Sequence, residues 1–419
     1  MKADKKEIKA FSEKAGFWCL CITLFLLSFP RSWSLYPLGA MLFTGLVAWI
    51  LDFNCIFNRF VKVWYLVVPA IIYFLVHLVS LIGEGAEISL IEDRLMFLLV
   101  PLLGFPVFIS SYAKSRISVI FTVFIIGIAV ISLFLVIRIF IMIGYGFQGG
   151  VHFFSWLNQN ELSYFSMGFS VLEHPTYFAL KVNWALVLIL FFSSTTLLKP
   201  RYVLLIACLL SASLFLAASK AGLLMWLVSI TIYLMRCFRK ALRNPVLYIG
   251  TIVLFVAIAV ILSMRINRVN SFVTTLKTQV AGEHRDWKNF DQRTREWYSA
   301  LNIIREYPLF GTGLSGAEDR LVEEYKKNGF NDEAALRLNA HNQFLEAQMT
   351  FGIFGTISLL FMLLAPFTGL RNALYPGLIM SLTGLTIFFL LIESLFNRQW
   401  GIMFFLLFYF VIALRFEEN

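Results

Sequence analysis

Long apolar stretches separated by short polar turns recur along nearly the whole chain. A transmembrane helix needs roughly 20 apolar residues to cross about 30 Å of hydrocarbon, and most of these stretches approach that length. The pattern therefore predicts an all-α, polytopic integral membrane protein of about twelve spans. We place the spans at about 16–30, 34–51, 62–83, 95–112, 117–144, 173–195, 202–218, 221–237, 246–264, 342–366, 376–395 and 399–415.

Two longer segments interrupt this pattern. The first, about 145–172, is a loop that contains Gly, Phe and Asn. The second, about 265–340, follows the ninth predicted span and has the composition of a soluble subdomain. We therefore predict one integral domain in three parts: nine spans over 1–264, a helical cap over 265–340, and three spans over 341–419.

The cap is predicted to be helical. Trp297, Leu301 and Ile304 recur at helical spacing between 291 and 307, which predicts an amphipathic helix with these side chains on its apolar face. Pro308 ends that helix, and a Gly-Thr-Gly turn follows.

Further along the cap, Leu321 and Tyr325 indicate a second short helix, and 332–338 a third. No internal repeat and no low-complexity linker is visible in the sequence. The chain therefore reads as one integral domain with a helical cap.

Composition agrees with a membrane protein, since 59% of the residues are hydrophobic and 14% are charged. The net charge of +10 could suggest a nucleic-acid partner. However, most lysines and arginines fall in segments that are cytoplasmic if the N-terminus is, whereas the short loops opposite hold only Arg31, Arg94, Lys220 and Arg398. This asymmetry is the positive-inside rule, so we predict cytoplasmic termini, a retained first span and no nucleic-acid partner.

Polar residues near the outer ends of spans are the candidates for chemistry, because an ionisable group at the membrane centre costs roughly 2.5–3.5 kcal/mol. His174, Tyr177 and Lys181 follow one another at i, i+3 and i+7, which places them on one helix face. That stripe could line a polar pocket. Alternatively, Lys181 extends towards the membrane surface and His174 is an interfacial histidine.

Three basic residues could bind an anionic group. Lys220 lies in the turn between the seventh and eighth predicted spans, where it could neutralise a headgroup or simply extend to the surface. Arg293 and Arg295 lie on or beside the apolar face of the first cap helix, together with Glu296. The planar guanidinium suits phosphate oxygens, although most arginines on such helices are solvated.

His341 lies where the cap ends and the tenth predicted span begins. The positive end of that helix's dipole would keep its imidazole neutral and able to accept a proton. The alternative is a structural histidine at a helix start. Glu346, about one turn later, could orient or pair with His341.

Glu393, Asn397 and Arg398 cluster at the turn between the last two predicted spans, with Glu393 and Asn397 expected on one helix face. We interpret them as a structural network. The sequence contains no phosphate-binding Gly-Lys-Ser loop, no zinc-ligand spacing, no Asp-x-Asp pair and no Gly-x-Ser-x-Gly motif. The five cysteines also lack ligand spacing and are interpreted as reduced structural residues. We therefore predict neither a metal nor another cofactor.

Two motifs resemble the signature of the O-antigen ligase and polymerase superfamily. The first runs from Arg293 through Trp297 to the sequence Pro-Leu-Phe-Gly-Thr-Gly at 308–313. The second is His-Asn-Gln-Phe-Leu-Glu at 341–346, followed by Gly352. The order of parts is also similar, because that superfamily has about twelve spans with a large periplasmic loop between the ninth and tenth.

The resemblance implies a GT-C-like, metal-independent, inverting glycosyltransferase in the bacterial inner membrane. It would transfer a glycan from undecaprenyl diphosphate to the lipid A-core oligosaccharide at the periplasmic face. It also implies that Lys220 and Arg293 or Arg295 bind the diphosphate and that His341 acts at the acceptor. Family members more often have arginine at the Lys220 turn, and lysine supplies a point charge without the bidentate fork.

Three alternatives remain open at this stage. An O-antigen polymerase or a protein O-oligosaccharyltransferase would share the donor half of the site. A flippase for lipid-linked oligosaccharides belongs to another class, but transporters usually bind substrate near the bilayer midplane on broken helices in repeated halves. Here the candidate residues lie at predicted outer ends, and no repeat is visible.

Overall fold

The computed structural model describes residues 2–81, 88–147, 169–238, 250, 291–370 and 373–414. These residues form helices joined by turns, and no β-strand occurs among them. Apart from residue 250, the predicted ninth span lies outside the described residues, as does the cap before 291. The α-helices are α1 (Lys2–Phe25), α2 (Arg31–Lys62), α3 (Trp64–Val79), α4 (Met96–Leu103), α5 (Phe105–Ile109), α6 (Ser111–Lys114), α7 (Ile117–Phe147), α8 (Pro175–Phe191), α9 (Pro200–Ala217), α10 (Lys220–Phe238), α11 (Gln292–Glu306), α12 (Ala317–Lys327), α13 (Asn331–Ala335), α14 (Gln343–Thr368), α15 (Pro376–Leu390) and α16 (Gln399–Ala413).

Six segments of the described residues are long and apolar enough to cross a membrane. Four further apolar helices, α3, α8, α15 and α16, are shorter, at 15 to 17 residues. The prediction of a helical, multi-span protein is therefore confirmed, whereas the count of twelve stays a prediction. The six long segments are Lys5–Ser28, Arg31–Lys62, Ile117–Ile141, Pro200–Ala217, Lys220–Cys237 and Gln343–Thr368.

The fourth predicted span, 95–112, is not one continuous helix. It is divided into α4, α5 and α6. Pro106 lies in the first turn of α5, where proline is tolerated because that turn's amides have no intrahelical acceptor. Ser110 has an extended backbone and caps α6 by accepting a hydrogen bond from the amide of Ala113 at 3.2 Å. The apolar pattern predicted a span here, but proline and serine restart the helix within it.

The chain divides into two compact units. The first comprises Met1–Thr23, Ser32–Ile117 and His284–Asn419, and the second comprises Leu24–Arg31 and Ser118–Glu283. In the first unit, α14 packs along α3 on one side and against α11 on another. In the second unit, α8 packs against α9 and α10.

The Gly-Thr-Gly turn of the first unit docks against a break in α14. Gly352 interrupts that helix with φ +63° and ψ −153°, a conformation essentially restricted to glycine. The amides of Thr312 and Gly313 donate to the carbonyl oxygens of Met349 and Thr350, each at 2.9 Å. A Cβ on Gly352 would lie 2.1 Å from the Leu309 carbonyl oxygen, so the two backbones can approach only at glycine. This contact packs the first motif, which ends in the Gly-Thr-Gly turn, against the second, which ends at Gly352.

The first cap helix begins where the sequence predicted, because the Asp291 side chain caps α11. Its buried face, however, differs from the predicted one. Leu301 is 42% exposed, and the buried residues are Glu296, Ser299, Ala300 and Ile303. The helix is therefore rotated so that a glutamate faces the interior. In the next cap helix, α12, Leu321 and Tyr325 are buried as expected, whereas the third helix, α13, covers only Asn331–Ala335.

Candidate active site

His341 lies at the junction between the cap and α14, in an unusual backbone conformation. Its φ is +44°, which residues other than glycine rarely adopt. Asn339 Oδ1 accepts a hydrogen bond from the His341 amide at 2.9 Å, and Asn342 caps α14 through its first-turn amides. Glu346 Oε2 accepts from the amide of residue 340 at 3.1 Å. Three side chains therefore hold the backbone that carries the imidazole.

The imidazole is hydrogen bonded to a completely buried carboxylate. Nδ1 of His341 donates to Oε2 of Glu296 at 2.8 Å, and Glu296 is 0% exposed. One turn earlier on α11, Gln292 donates from Nε2 to the other carboxylate oxygen at 2.8 Å. Because an ionised carboxylate can only accept hydrogen bonds, Nδ1 carries the hydrogen in this arrangement. Nε2 is then the nitrogen that can accept a proton.

A second carboxylate and an arginine border the other side of the ring. Nε2 of His341 lies 4.0 Å from Oε1 of Glu393, whose Oε2 lies 3.8 Å from Nη2 of Arg293. Nη1 of Arg293 also donates to the carbonyl oxygens of His341, at 3.3 Å, and of Ile392. The side chains of His341 and Arg293 are 19% and 35% exposed, so both reach the protein surface in part.

The surroundings of the imidazole raise the pKa of His341. Burial by itself lowers this pKa, but the hydrogen bond to Glu296 and the negative charges of Glu296 and Glu393 outweigh both burial and the opposing charge of Arg293. The helix dipole by itself would lower this pKa, and the two carboxylates next to the ring act in the opposite direction. A raised pKa makes the imidazole a better proton acceptor.

The structure separates the two cap arginines. Arg293 borders the imidazole, whereas Arg295 forms an ion pair with Glu333, with Nε at 2.7 Å and Nη2 at 2.5 Å from Oε1. Glu333 is 2% exposed. Arg295 thus neutralises a buried carboxylate within the cap, and Arg293 is the cap arginine placed beside His341.

Lys181 does not extend to the membrane surface. It is 1% exposed, and its Nζ lies 2.5 Å from Oε2 of Glu173 and 2.7 Å from the carbonyl oxygen of Leu27. His174 caps α8 by accepting the amide hydrogen of Thr176 at 3.4 Å. The expectation that Lys181 extends towards the membrane surface is therefore wrong, because the lysine is enclosed and pairs with a buried acid.

The remaining predicted residues have distinct surroundings. Tyr177 is buried on α8, and exposed Lys220 begins α10 after the left-handed Ala218. Exposed Arg398 immediately precedes α16. Glu346 supports the backbone before His341, and the carboxylate that pairs with the ring is Glu296 instead. Glu393 and Asn397 share no helix face, because α15 ends at Leu390.

Glu296 was not among the candidate site residues predicted from the sequence. The available signal was a glutamate at the centre of an amphipathic helix, beside two arginines, which the apolar pattern assigned to the rim of the buried face. Its partner is 45 residues away in the chain, so no local spacing rule connects them.

Comparison with known proteins shows which family the region around this centre resembles. A family model described as O-antigen ligase matches residues 203–360, just over a third of the chain. The matched region contains Lys220, α11, the Gly-Thr-Gly turn and His341, and ends before Glu393. Among curated proteins, none matches this chain. Together with the apolar helices, the match indicates a multi-pass bacterial membrane protein, and it supports the O-antigen ligase superfamily that the two motifs suggested.

Proposed function

We propose that this protein is a glycosyltransferase of the O-antigen ligase type. It transfers a glycan from undecaprenyl diphosphate to the lipid A-core oligosaccharide at the periplasmic face of the bacterial inner membrane. Both chain termini are cytoplasmic in this proposal. The reaction inverts the anomeric carbon and uses no metal or nucleotide.

One observation carries the proposal: a partly exposed histidine, paired with a buried glutamate and bordered by an arginine, lies inside the region matched by the family model. A sugar diphosphate is already an activated donor. The protein therefore has to neutralise the charge that develops on the leaving group and to deprotonate a hydroxyl. His341 and Arg293 have the chemical properties for these two tasks.

The proposed step is a single displacement. The acceptor hydroxyl attacks the anomeric carbon opposite the diphosphate, and its proton passes to Nε2 of His341. The new glycosidic bond forms while the bond from the anomeric carbon to phosphate oxygen breaks, so undecaprenyl diphosphate leaves with the bonding electrons. Base catalysis of this kind contributes roughly 10²- to 10⁴-fold to the rate.

The diphosphate is proposed to bind Arg293, with Arg295 as a further candidate cation of the same unit, and Lys220 of the second unit stays a prediction from the sequence. Arg293 is favoured because it borders His341, whereas Arg295 pairs with Glu333. We expect Arg293→Ala to weaken donor binding more than acceptor binding, and Arg295→Ala mainly to lower cap stability. Titrating each purified variant with carrier-linked glycan and, separately, with acceptor measures the difference. Unchanged donor affinity in both Arg293→Ala and Lys220→Ala would place the diphosphate elsewhere.

The direct test uses purified protein in detergent with carrier-linked glycan and a lipid A-core acceptor. A new glycosidic product is expected in the absence of nucleotide. If no acceptor yields a product, the enzyme proposal fails and the flippase alternative gains support. Transport of lipid-linked glycan between vesicle leaflets would then be the measurement to make.

The surface glycans of a deletion strain separate the ligase from the polymerase. Loss of all polymer from lipid A, with carrier-linked chains of normal length accumulating, supports the ligase. Single repeat units on lipid A would support the polymerase instead. Loss of glycan from secreted proteins, with lipid A unaffected, would indicate protein O-oligosaccharyltransferase activity.

A further inference from the structure

We infer that Glu296 is the positioning residue of His341: the two form a Glu–His dyad in which the cap helix α11 fixes the ring so that Nε2 faces the acceptor hydroxyl. This inference rests on the proposed transferase function. It adds a residue that the sequence motifs did not assign to the reaction.

The burial of Glu296 requires a specific partner. The carboxylate is 0% exposed and occupies the inner face of α11 beside small or apolar residues such as Ser299 and Ala300. A carboxylate in such a place costs free energy unless it is hydrogen bonded or paired. Its two oxygens take up hydrogen bonds from Gln292 and from His341, each at 2.8 Å. An apolar residue would serve the packing of α11 equally well, so the glutamate is explained by the ring.

A second buried glutamate in the same cap shows what a structural acid looks like here. Glu333 is 2% exposed and pairs with the guanidinium of Arg295. A guanidinium is a permanent charge in proteins, so an ion pair of this kind does not exchange a proton. Glu296 pairs instead with an imidazole, a group that can gain and lose a proton, and that side chain is 19% exposed.

The charged groups around the imidazole come from three parts of the first unit. Glu296 and Arg293 lie on α11, Glu393 follows α15, and Glu346 lies on α14 after the histidine. Glu296 Oε2 is hydrogen bonded to Nδ1 of the ring at 2.8 Å, whereas Glu393 Oε1 is 4.0 Å from Nε2. Glu296 therefore selects the tautomer, and it stabilises the imidazolium formed when Nε2 takes the hydroxyl proton.

The test variant is Glu296→Gln, which keeps the size of the side chain and removes its charge. The new amide oxygen can still accept from Nδ1, and its NH₂ group can donate to Gln292 if that amide rotates. The full-length protein is purified in detergent with ¹³C-labelled histidine, and His341→Asn identifies the His341 signal among the five histidines. We expect the Glu296→Gln titration of His341 to move to lower pH, and the rate constant of transfer to fall by roughly tenfold or more, up to the 10²- to 10⁴-fold range of base catalysis.

Two further variants separate positioning from packing. Glu333→Gln neutralises a matched buried acid in the same cap, and it should leave the His341 titration unchanged even if it lowers the unfolding temperature. Glu296→Asp keeps the carboxylate and should restore the wild-type titration and part of the rate. The dyad is overturned if His341 titrates identically in Glu296→Gln and the wild type, or if Glu333→Gln shifts it equally.

The titration is measured on the resting protein, so it does not depend on the proposed reaction. A shifted titration in a protein that transfers no glycan would refute the transferase and leave the dyad. Normal transfer together with an unshifted titration would refute the dyad and leave the transferase.

Discussion

A basic side chain meets a buried carboxylate in each compact unit: Lys181 pairs with Glu173 in the second unit, and His341 pairs with Glu296 in the first. Lys181 and Glu173 are 1% and 2% exposed, so the pair is closed on all sides. His341 also meets a fully buried acid, Glu296, but its ring remains 19% exposed. From the sequence alone, His341 was the candidate catalytic residue, and Lys181 belonged to a stripe that could line a polar pocket.

The two pairs differ in whether the basic side chain remains partly exposed after it has paired with its acid. The Lys181 ammonium contacts both Glu173 and the carbonyl oxygen of Leu27, within a helix buried from Pro175 to Ile189. His341 uses Nδ1 for its acid, and its side chain remains 19% exposed. We expect an ion pair that is completely buried to have a structural role, whereas a paired group that remains partly exposed can also react with a substrate.

The largest expected effect follows from removing the accessible member. His341→Ala should abolish transfer, a loss of at least roughly 10²- to 10⁴-fold, because no other group replaces the proton acceptor. Turnover is measured with purified protein, and folding is checked by thermal unfolding. The matched control is His174→Asn, since asparagine also caps a helix start and should retain activity. Normal turnover in His341→Ala would show that both pairs are structural.

Breaking the closed pair should affect stability rather than chemistry. Lys181→Met leaves Glu173 buried without its partner, which costs about 3–5 kcal/mol. The double variant Lys181→Met with Glu173→Leu should recover much of that loss, because it removes both charges. Unfolding in detergent measures the stability, and turnover is expressed per folded molecule. Lost turnover at unchanged stability would instead make Lys181 part of the substrate site.

The spacing of apolar residues and the capping residues predicted much of the fold. The two pairs show what such local signals could not predict. Asp291 at the start of α11, the burial of Leu321 and Tyr325, and most helix positions follow from spacing and capping. The exposed Leu301 did not follow, because burying Glu296 turns the helix, and the reason for that burial lies 45 residues away.

Lys181 illustrates the same limit. Glu173 is eight residues earlier, but the enclosing Leu27 carbonyl is 154 residues away. Apolar periodicity indicates which faces are buried, and it contains no information about which polar group a buried charge will meet. Long-range partners of this kind are the basis on which we propose a structural role for Lys181 and a functional role for His341.

A smaller loss of stability is expected from replacing the glycine at which the Gly-Thr-Gly turn docks against α14. Gly352→Ala forces a Cβ to within 2.1 Å of the Leu309 carbonyl oxygen in a conformation that costs about 1–3 kcal/mol for other residues. It should lower the unfolding temperature and loosen the turn docked on α14. Gly384→Ala is the control, because a Cβ there meets open space within a helix and should be neutral or stabilising by about 0.5–1 kcal/mol. Equal stability of the two variants would contradict the docking argument.

The smallest expected effect is a pH dependence that only the accessible pair should show. Burial lowers the pKa of His341, but Glu296 and Glu393 raise it above the ordinary value of about 6.5. Since a base must be unprotonated, transfer should decline as pH falls through this raised pKa. Stability should move the opposite way: the folded state binds the proton more tightly than the unfolded state, so the contribution is complete below about 6.5 and is lost as pH rises through the folded pKa. The transfer rate and the unfolding temperature, measured from pH 5 to 9 in the wild type and in His341→Asn, test both trends. If the substitution leaves the pH profile of stability unchanged, the interaction of the ring with Glu296 and Glu393 contributes nothing to stability.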